Sequence, residues 1–315
     1  MHHIVFLDRD SLPAAVRTPS FAHTWGEHAA SAPFEVVDRL RGATIAITNK
    51  VPLRAADLAQ LPDLKMIAVA ATGTDIVDLA ACRERGIIVS NIRNYSLVSV
   101  PEHCFSLILA LRRNLAAYAA DVKAGKWRNA TQFCLFDHPI SDLAGSTLGI
   151  VGYGALGRRV AQIGRAFGMK VVVASRSPVD DAEVTMLPLA ELLATADVVS
   201  LHLPLNDKTR HMIGAAELAT MKKTALLINT ARGGLVDEAA LAAALKSGVI
   251  GGAGFDVLTK EPPTDGNPLL ELDQPNFILT PHVAWASAGA MQTLADMLVD
   301  NIEAFVAGAP KNIVG

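Results

Sequence analysis

Three polar residues each follow an apolar run in the second half of the chain. Arg232 stands in Asn-Thr-Ala-Arg-Gly-Gly after Ala225 to Asn229, Glu261 follows Phe255-Asp256-Val257, and His282 stands in Thr-Pro-His-Val-Ala-Trp-Ala-Ser after Phe277 to Leu279. Together they hold what carbonyl reduction asks of a protein. Hydride addition turns a carbonyl into an alkoxide, which needs a proton from an acid that titrates near neutrality, and histidine is the side chain of that kind. A carboxylate beside an imidazole orients it and favours its protonated form, and a guanidinium clamps a carboxylate or carbonyl through paired N–H donors. Taken singly, each residue has an ordinary reading: a loop or core histidine, a surface or helix-capping arginine, a solvated glutamate beside Pro262 and Pro263. Their common position joins them, because ligands of an α/β sheet collect outside the carboxyl ends of its strands.

The stretch that would bring a hydride donor to such a site runs from Thr147 to Gly157, Thr-Leu-Gly-Ile-Val-Gly-Tyr-Gly-Ala-Leu-Gly. An apolar run enters a turn marked by Gly152, Gly154 and Gly157, and Ala155, Leu156, Val160, Ile163, Ala166 and Phe167 then recur at near-helical spacing. Strand, glycine turn and helix in that order make a dinucleotide-binding fingerprint. The first glycine permits the tight turn, the second lets the backbone approach a pyrophosphate, and the third lets helix and strand pack closely. The third glycine lies at or just inside the start of the helix, beside Ala155 and Leu156, and the helix N-terminus then faces the anion.

These residues need strands to carry them, and the chain supplies an alternation. Before residue 100, apolar runs at 4–7, 44–48, 66–71 and 87–90 read as buried strands separated by helical patterns at 34–40, 55–61 and 77–85. Six more strands are expected at 148–151, 171–174, 198–203, 225–229, 250–256 and 277–279, with helices between them. Such alternation predicts α/β architecture with two doubly wound parallel-sheet domains. A helix opening at Pro101 and running through Leu115 carries the chain to the second domain, and a helical pattern from Ala286 to Val306 returns to the first. The expected domains are therefore 1–98 with 286–315, and 99–285. Residues 127–143 have no clear period and read as a loop or as an arm gripping another subunit.

Bulk properties narrow the classes of function. A chain of 315 residues that is 51% hydrophobic can bury two cores, which excludes a disordered protein. A formal net charge of −3 leaves no basic field for nucleic acid or anionic lipid. Cys82, Cys104 and Cys134 lack metal-ligand spacing and imply neither a bound metal nor a disulfide framework. No basic-then-apolar leader opens the chain and no apolar run reaches membrane-spanning length, so a cytoplasmic protein acting on small molecules is expected.

Longer matches point to a family. Gly-Ile-Val-Gly-Tyr-Gly-Ala-Leu-Gly at 149–157, Leu-Leu-Ile-Asn-Thr-Ala-Arg-Gly-Gly-Leu-Val-Asp-Glu at 226–238, Phe-Asp-Val-Leu-Thr-Lys-Glu-Pro at 255–262 and Thr-Pro-His-Val-Ala-Trp-Ala-Ser at 280–287 make the chain resemble the D-isomer-specific 2-hydroxyacid dehydrogenases over nearly its whole length. The resemblance implies a flavodoxin-like substrate domain, a Rossmann nucleotide domain and an active site in the cleft between them. It implies that Arg232 binds and polarises a 2-oxo acid, that His282 is the proton donor or acceptor, and that Glu261 tunes the histidine. Asp256 would meet the nicotinamide carboxamide, and His202, Pro204, Thr209, Thr230, Ala231 and Ala284 would also line the cofactor. The stretch Ala71-Thr72-Gly73-Thr74-Asp75 matches the substrate-domain loop, with Thr72, Gly73 and Thr74 receiving the substrate carboxylate. Family members usually dimerise through the nucleotide domain.

Within the family, the His-Val-Ala-Trp-Ala-Ser ending and the Thr-Asn-Lys and Ala-Thr-Gly stretches are similar to bacterial glycerate dehydrogenases, also called hydroxypyruvate reductases. That resemblance implies hydroxypyruvate and glyoxylate as substrates. Trp285 reads equally as the wall of a small pocket or as core. Asn91-Ile92-Arg93-Asn94-Tyr95-Ser96 departs from the more usual family wording, so Arg93 leaves the far end of the substrate open. The alternatives are another 2-oxo acid of the family, or a non-catalytic dinucleotide sensor like the corepressors that share this fold and triad.

The cofactor is read at the end of the second strand of the nucleotide domain. An NAD-selective fold places an acidic residue there for the ribose 2′-hydroxyl, whereas this chain has Ser175, Arg176 and Ser177. A carboxylate would repel a 2′-phosphate, an arginine pairs with it and serines donate to it. NADP(H) is therefore expected in preference to NAD(H).

Overall fold

Short apolar strands separated by helices favour parallel pairing, and every pair of strands in the computed structural model, which describes residues 1–315, is parallel. The chain divides into two units, Met1–Ser96 with Ala286–Gly315, and Leu97–Trp285. No helix is long and apolar enough to cross a membrane.

The first unit contains β1 (His2–Phe6), β2 (His23–Glu27), α1 (Val36–Arg39), β3 (Ile45–Thr48), α2 (Ala55–Leu58), β4 (Met66–Val69), α3 (Leu79–Glu84) and β5 (Ile88–Ser90). Its five strands lie in the order β2-β1-β3-β4-β5, the flavodoxin-like order. The strands β3 and β4 are buried at every position, as their unbroken apolar runs require. The edge strand β2 lies outside the strands expected before residue 100. Its segment, His-Thr-Trp-Gly-Glu, has no fully buried residue, and an edge strand of that kind leaves no apolar run to recognise.

The second unit contains α4 (Ser99–Arg112), α5 (Leu115–Lys123), β6 (Thr147–Val151), α6 (Ala155–Ala166), β7 (Lys170–Ala174), β8 (Thr185–Met186), α7 (Leu189–Thr195), β9 (Val198–Leu201), α8 (Ala215–Thr220), β10 (Leu226–Asn229), α9 (Glu238–Lys246), β11 (Gly252–Phe255) and β12 (Phe277–Leu279). Seven strands, rather than six, lie in the order β12-β11-β10-β9-β6-β7-β8, the seventh being the two-residue edge β8. The order reverses between β6 and β9, which places the glycine turn at the switch point of a Rossmann sheet. Helices cover both faces: Leu192, Leu218, Leu241 and Leu245 of α7, α8 and α9 pack one core, and Phe105, Ile108, Val160 and Ala161 of α4 and α6 pack another. The helix expected from Pro101 to Leu115 starts earlier and stops at Arg112. Asn114, at φ +50°, takes the left-handed turn that asparagine tolerates, and α5 begins anew.

The last helix, α10 (Ala288–Val306), belongs to the first unit. Arg17 grips it with two hydrogen bonds to Glu303, at 2.9 and 2.8 Å, and one to Asp300 at 2.5 Å. The C-terminal segment then bonds beside β5, Val314 N–H donating to Val89 O at 2.9 Å and Asn91 N–H to Asn312 O at 3.1 Å.

Candidate functional site

The glycine turn after β6 has the shape of an anion cradle. Gly152 lies at φ +95°, and a Cβ there would strike the His202 carbonyl. A Cβ on Gly157 would overlap the carbonyl oxygen of Gly152, so only glycine lets α6 pack this close to the turn. Gly154 differs: a Cβ there meets no protein atom within 4 Å. Open space over Gly154 lies at the N-terminus of a 12-residue helix that has no side-chain cap and no acidic residue in its first turn. The N–H groups of Ala155, Leu156 and Gly157 have no intrahelical partner there, and this donor set fits a dinucleotide pyrophosphate.

Beyond β7, Ser175 is half-buried while Arg176 and Ser177 are exposed, and Arg176 forms no ion pair. The nearby carboxylate of Asp181 is occupied elsewhere. It accepts the Tyr153 hydroxyl at 2.6 Å and the Glu183 N–H at 3.0 Å and lies 3.6 Å from Arg165. The Tyr153 hydrogen bond is the main cause that holds the Asp181 carboxyl below its ordinary range.

Arg232, Glu261 and His282 follow β10, β11 and β12, three neighbours in the sheet. Arg232 donates from Nη1 to the Ala231 carbonyl at 2.7 Å and pairs with no carboxylate. Asn229, the last residue of β10, shapes this loop by donating to Arg232 O at 2.9 Å and accepting from Ala231 N–H at 3.1 Å. Gly233 packs directly on the backbone of Leu258 and Thr259, where any Cβ would overlap the Leu258 carbonyl carbon. The arginine loop and the glutamate loop are thereby joined.

Glu261 uses both oxygens. Oε1 accepts the Leu258 N–H at 2.7 Å, and Oε2 lies 2.5 Å from Nδ1 of His282. His282 stands at φ +56°, a backbone region costly for a residue with a Cβ and one that persists only where the surroundings impose it. Nδ1 faces the carboxylate, which leaves Nε2 as the ring's other site for a proton. Glu238, at the start of α9, supports the glutamate loop from outside, accepting Thr259 N–H at 2.7 Å and Asn267 Nδ2 at 2.8 Å.

Asp256, 1% exposed, holds the histidine loop on both sides of His282: Thr280 donates its hydroxyl to Oδ1 at 2.5 Å, Val283 N–H to Oδ1 at 2.9 Å and Ala284 N–H to Oδ2 at 2.8 Å. His103 of α4 bonds to Thr280 Oγ1 at 2.9 Å. Thr280 and Glu238 lie inside the stretches 280–287 and 226–238, yet nothing along the chain marks them, or His103, as contacts of the site. Each acts on a partner far along the chain, and no motif spans such a gap.

His202 follows β9, bonds through Nε2 to Ser200 Oγ at 2.9 Å, and is pushed down to about 4 by desolvation, so its ring is neutral near pH 7. Thr209 closes a turn onto Pro204 O at 2.8 Å, and Thr230 bonds to the buried Cys104 at 3.1 Å. Trp285 packs part of its ring against the core of α4 and α6. In the first unit, Thr72 and Gly73 lie after β4 with Thr74; Asn91 holds the Thr72 carbonyl at 2.7 Å and Thr72 Oγ1 donates to Ile92 O at 2.7 Å. The N–H groups of Thr72, Gly73 and Thr74 donate to no protein acceptor. Arg93 is used within its own unit, bonding to Asn91 Oδ1 at 3.1 Å and Ile313 O at 3.2 Å.

Comparison with known proteins gives the family. Residues 105–284 match the family model described as D-isomer specific 2-hydroxyacid dehydrogenase, NAD binding domain. The chain is 58% identical to a glycerate dehydrogenase of Methylorubrum extorquens, over 99% of this chain and 98% of that one. Among solved structures, an acyclic imino acid reductase in complex with NADPH and D-Arg superposes with a TM-score of 0.87 at 30% identity, covering 99% of this chain and 100% of that one. A D-lactate dehydrogenase of Aquifex aeolicus, complexed with NAD and lactic acid, does so with a TM-score of 0.85 at 30% identity, over 99% of both chains. The chain belongs to the D-isomer-specific 2-hydroxyacid dehydrogenase family. It is an oxidoreductase built around a nicotinamide dinucleotide, interconverting a 2-oxo acid and a D-2-hydroxy acid.

Proposed function

We propose that this enzyme reduces the small 2-oxo acids hydroxypyruvate and glyoxylate to D-glycerate and glycolate, with NADPH preferred over NADH. The observation that carries the reading is the alignment of an arginine without a carboxylate partner and a Glu261–His282 pair after three adjacent strands of the dinucleotide-binding sheet. The high identity to a glycerate dehydrogenase supports the choice of substrate.

When bound, the nicotinamide supplies the hydride that reduces C2 of the oxo acid. Arg232 draws the substrate carboxylate and carbonyl toward its N–H groups and stabilises the negative charge that grows on oxygen. His282 hands a proton from Nε2 to that oxygen, while the Glu261 carboxylate holds Nδ1–H and so the ring. Thr72, Gly73 and Thr74 receive the substrate carboxylate on backbone N–H groups. Gly152, Gly154, Ala155, Leu156 and Gly157 would hold the pyrophosphate, and Asp256, through a remaining lone pair, would accept from the carboxamide. His202, Pro204, Thr209, Thr230, Ala231 and Ala284 complete the dinucleotide site, and Trp285 walls the substrate.

The preference for NADPH rests on Arg176, exposed and without an ion pair, between two serines, with Asp181 withdrawn onto Tyr153 and Arg165. We also infer a cytoplasmic homodimer formed through the second unit. After α5, Trp127, Phe133 and Phe136 are 52%, 88% and 79% exposed, a run of aromatic surface that suits a protein partner.

Steady-state oxidation of NADPH and NADH with hydroxypyruvate, glyoxylate and pyruvate tests the reading. Fast NADPH oxidation with hydroxypyruvate is expected, with turnover lost in His282→Gln while dinucleotide still binds, and with preference turned toward NADH in Arg176→Asp. Equal cofactor ratios before and after Arg176→Asp would remove that residue from selectivity. Turnover retained in His282→Gln would remove the histidine from proton transfer.

A further inference from the structure

His103 and Thr280 are 177 residues apart in sequence, yet His103 Nε2 lies 2.9 Å from Thr280 Oγ1 and 3.7 Å from Asp256 Oδ1. Because Thr280 donates its hydroxyl hydrogen to Asp256 at 2.5 Å, its oxygen is left to accept, and the His103 ring must present Nε2–H. Each link therefore has one direction: imidazole N–H to hydroxyl, hydroxyl to carboxylate, and backbone N–H of Val283 and Ala284 to the same carboxylate. Thr280 stands two residues before His282 and Val283 directly after it, so the chain of bonds grips the loop on both sides of the left-handed histidine.

We infer that His103 is a positioning residue for the reaction, holding through Thr280 and Asp256 the loop that carries His282. This rests on the proposed role of His282. The Thr280 hydroxyl has a second acceptor in reach, the Phe255 carbonyl at 3.3 Å. An N–H donor on its lone pair polarises the hydroxyl toward the carboxylate. Without that donor the hydroxyl turns to the carbonyl, Asp256 Oδ1 loses a partner, and the φ +56° conformation of His282 loses part of what imposes it. His103 sits on the 14-residue α4, a rigid base for such a contact.

Three single variants and one double variant, His103→Leu with Thr280→Val, test this in the full chain, assayed for kcat and KM with the 2-oxo acid that wild type turns over best, and for dinucleotide Kd by fluorescence titration. His103→Leu removes the donor, Thr280→Val removes the relay at nearly constant shape, and His103→Gln returns an N–H near the position of Nε2. The expected result is a fall in kcat of about tenfold in both His103→Leu and Thr280→Val, with Kd within about threefold of wild type. The double variant should be no worse than the worse single one, since both cut one chain, and His103→Gln should recover most of kcat. Wild-type kcat in the two single variants would overturn the inference, as would additive losses or a failure of His103→Gln to recover. His282→Gln is measured alongside: turnover retained there ends the reading of the site and this inference with it, whereas a dead His282→Gln beside unimpaired His103→Leu and Thr280→Val ends this inference alone.

Discussion

Glu261 serves two partners with two oxygens, closing its own loop through Leu258 N–H and facing the imidazole of His282. A carboxylate placed this way fixes the tautomer and plane of the ring. Glu261→Gln keeps the volume but offers one carbonyl where two acceptors were used, so either the loop or the imidazole faces an NH2 group. Its kcat is expected to drop about 10- to 100-fold while KM for the oxo acid changes little. Steady-state kinetics decides this, and a loss confined to KM would move Glu261 from the proton path to substrate binding. Cys104 illustrates the opposite case. Burial pushes its thiol up to about 11, which keeps it a packing group beside Thr230.

The strand, glycine turn and helix from β6 to α6 separate folding from binding by position. Gly157 is needed by the fold, since a Cβ there would collide with the Gly152 carbonyl, while Gly154 borders empty space and has an ordinary negative φ. Gly157→Ala should destabilise the second unit by about 1–3 kcal/mol, as overpacking does. Gly154→Ala should leave the thermal midpoint unchanged and weaken dinucleotide binding at least about tenfold. Thermal melts with and without dinucleotide distinguish them; equal melting losses in both variants would show that Gly154 is structural.

Across the molecule, the long α10 carries an electrostatic clasp made within the first unit. Arg17, hydrogen-bonded to Glu303, pulls that carboxyl from 4.5 down to about 2, with the Ser20 N–H helping. A carboxyl whose folded value is lowered contributes stability above its unfolded value, and the contribution fades as pH falls from about 4.5 toward about 2. Partial exposure of Arg17 keeps the effect to about 1 kcal/mol. Urea midpoints should fall through that window in the wild type, and the part due to the clasp should vanish in Arg17→Ala. A variant with the same acid dependence would show the pair to be energetically silent.

Several features of this protein were determined along the chain itself. Parallel strands are buried on both faces, so β3, β4, β6, β9 and β10 appear as apolar runs, and the glycine spacing after β6 announces a phosphate turn because backbone sterics demand it. Arg232, Glu261 and His282 were legible for the same reason, each standing where a strand ends. Tertiary structure alone decided the rest. The edge strands β2 and β8 are stabilised by a neighbouring strand rather than by an apolar run of their own. The order β12-β11-β10 makes neighbours of three loops, and the bond between Glu261 and His282 follows from it. Asp181 is withdrawn by Tyr153, and His103 reaches Thr280, through contacts between side chains distant in sequence. Local spacing encodes elements because each forms by short-range geometry; partners across a sheet are chosen by crossovers and packing, which no local pattern records.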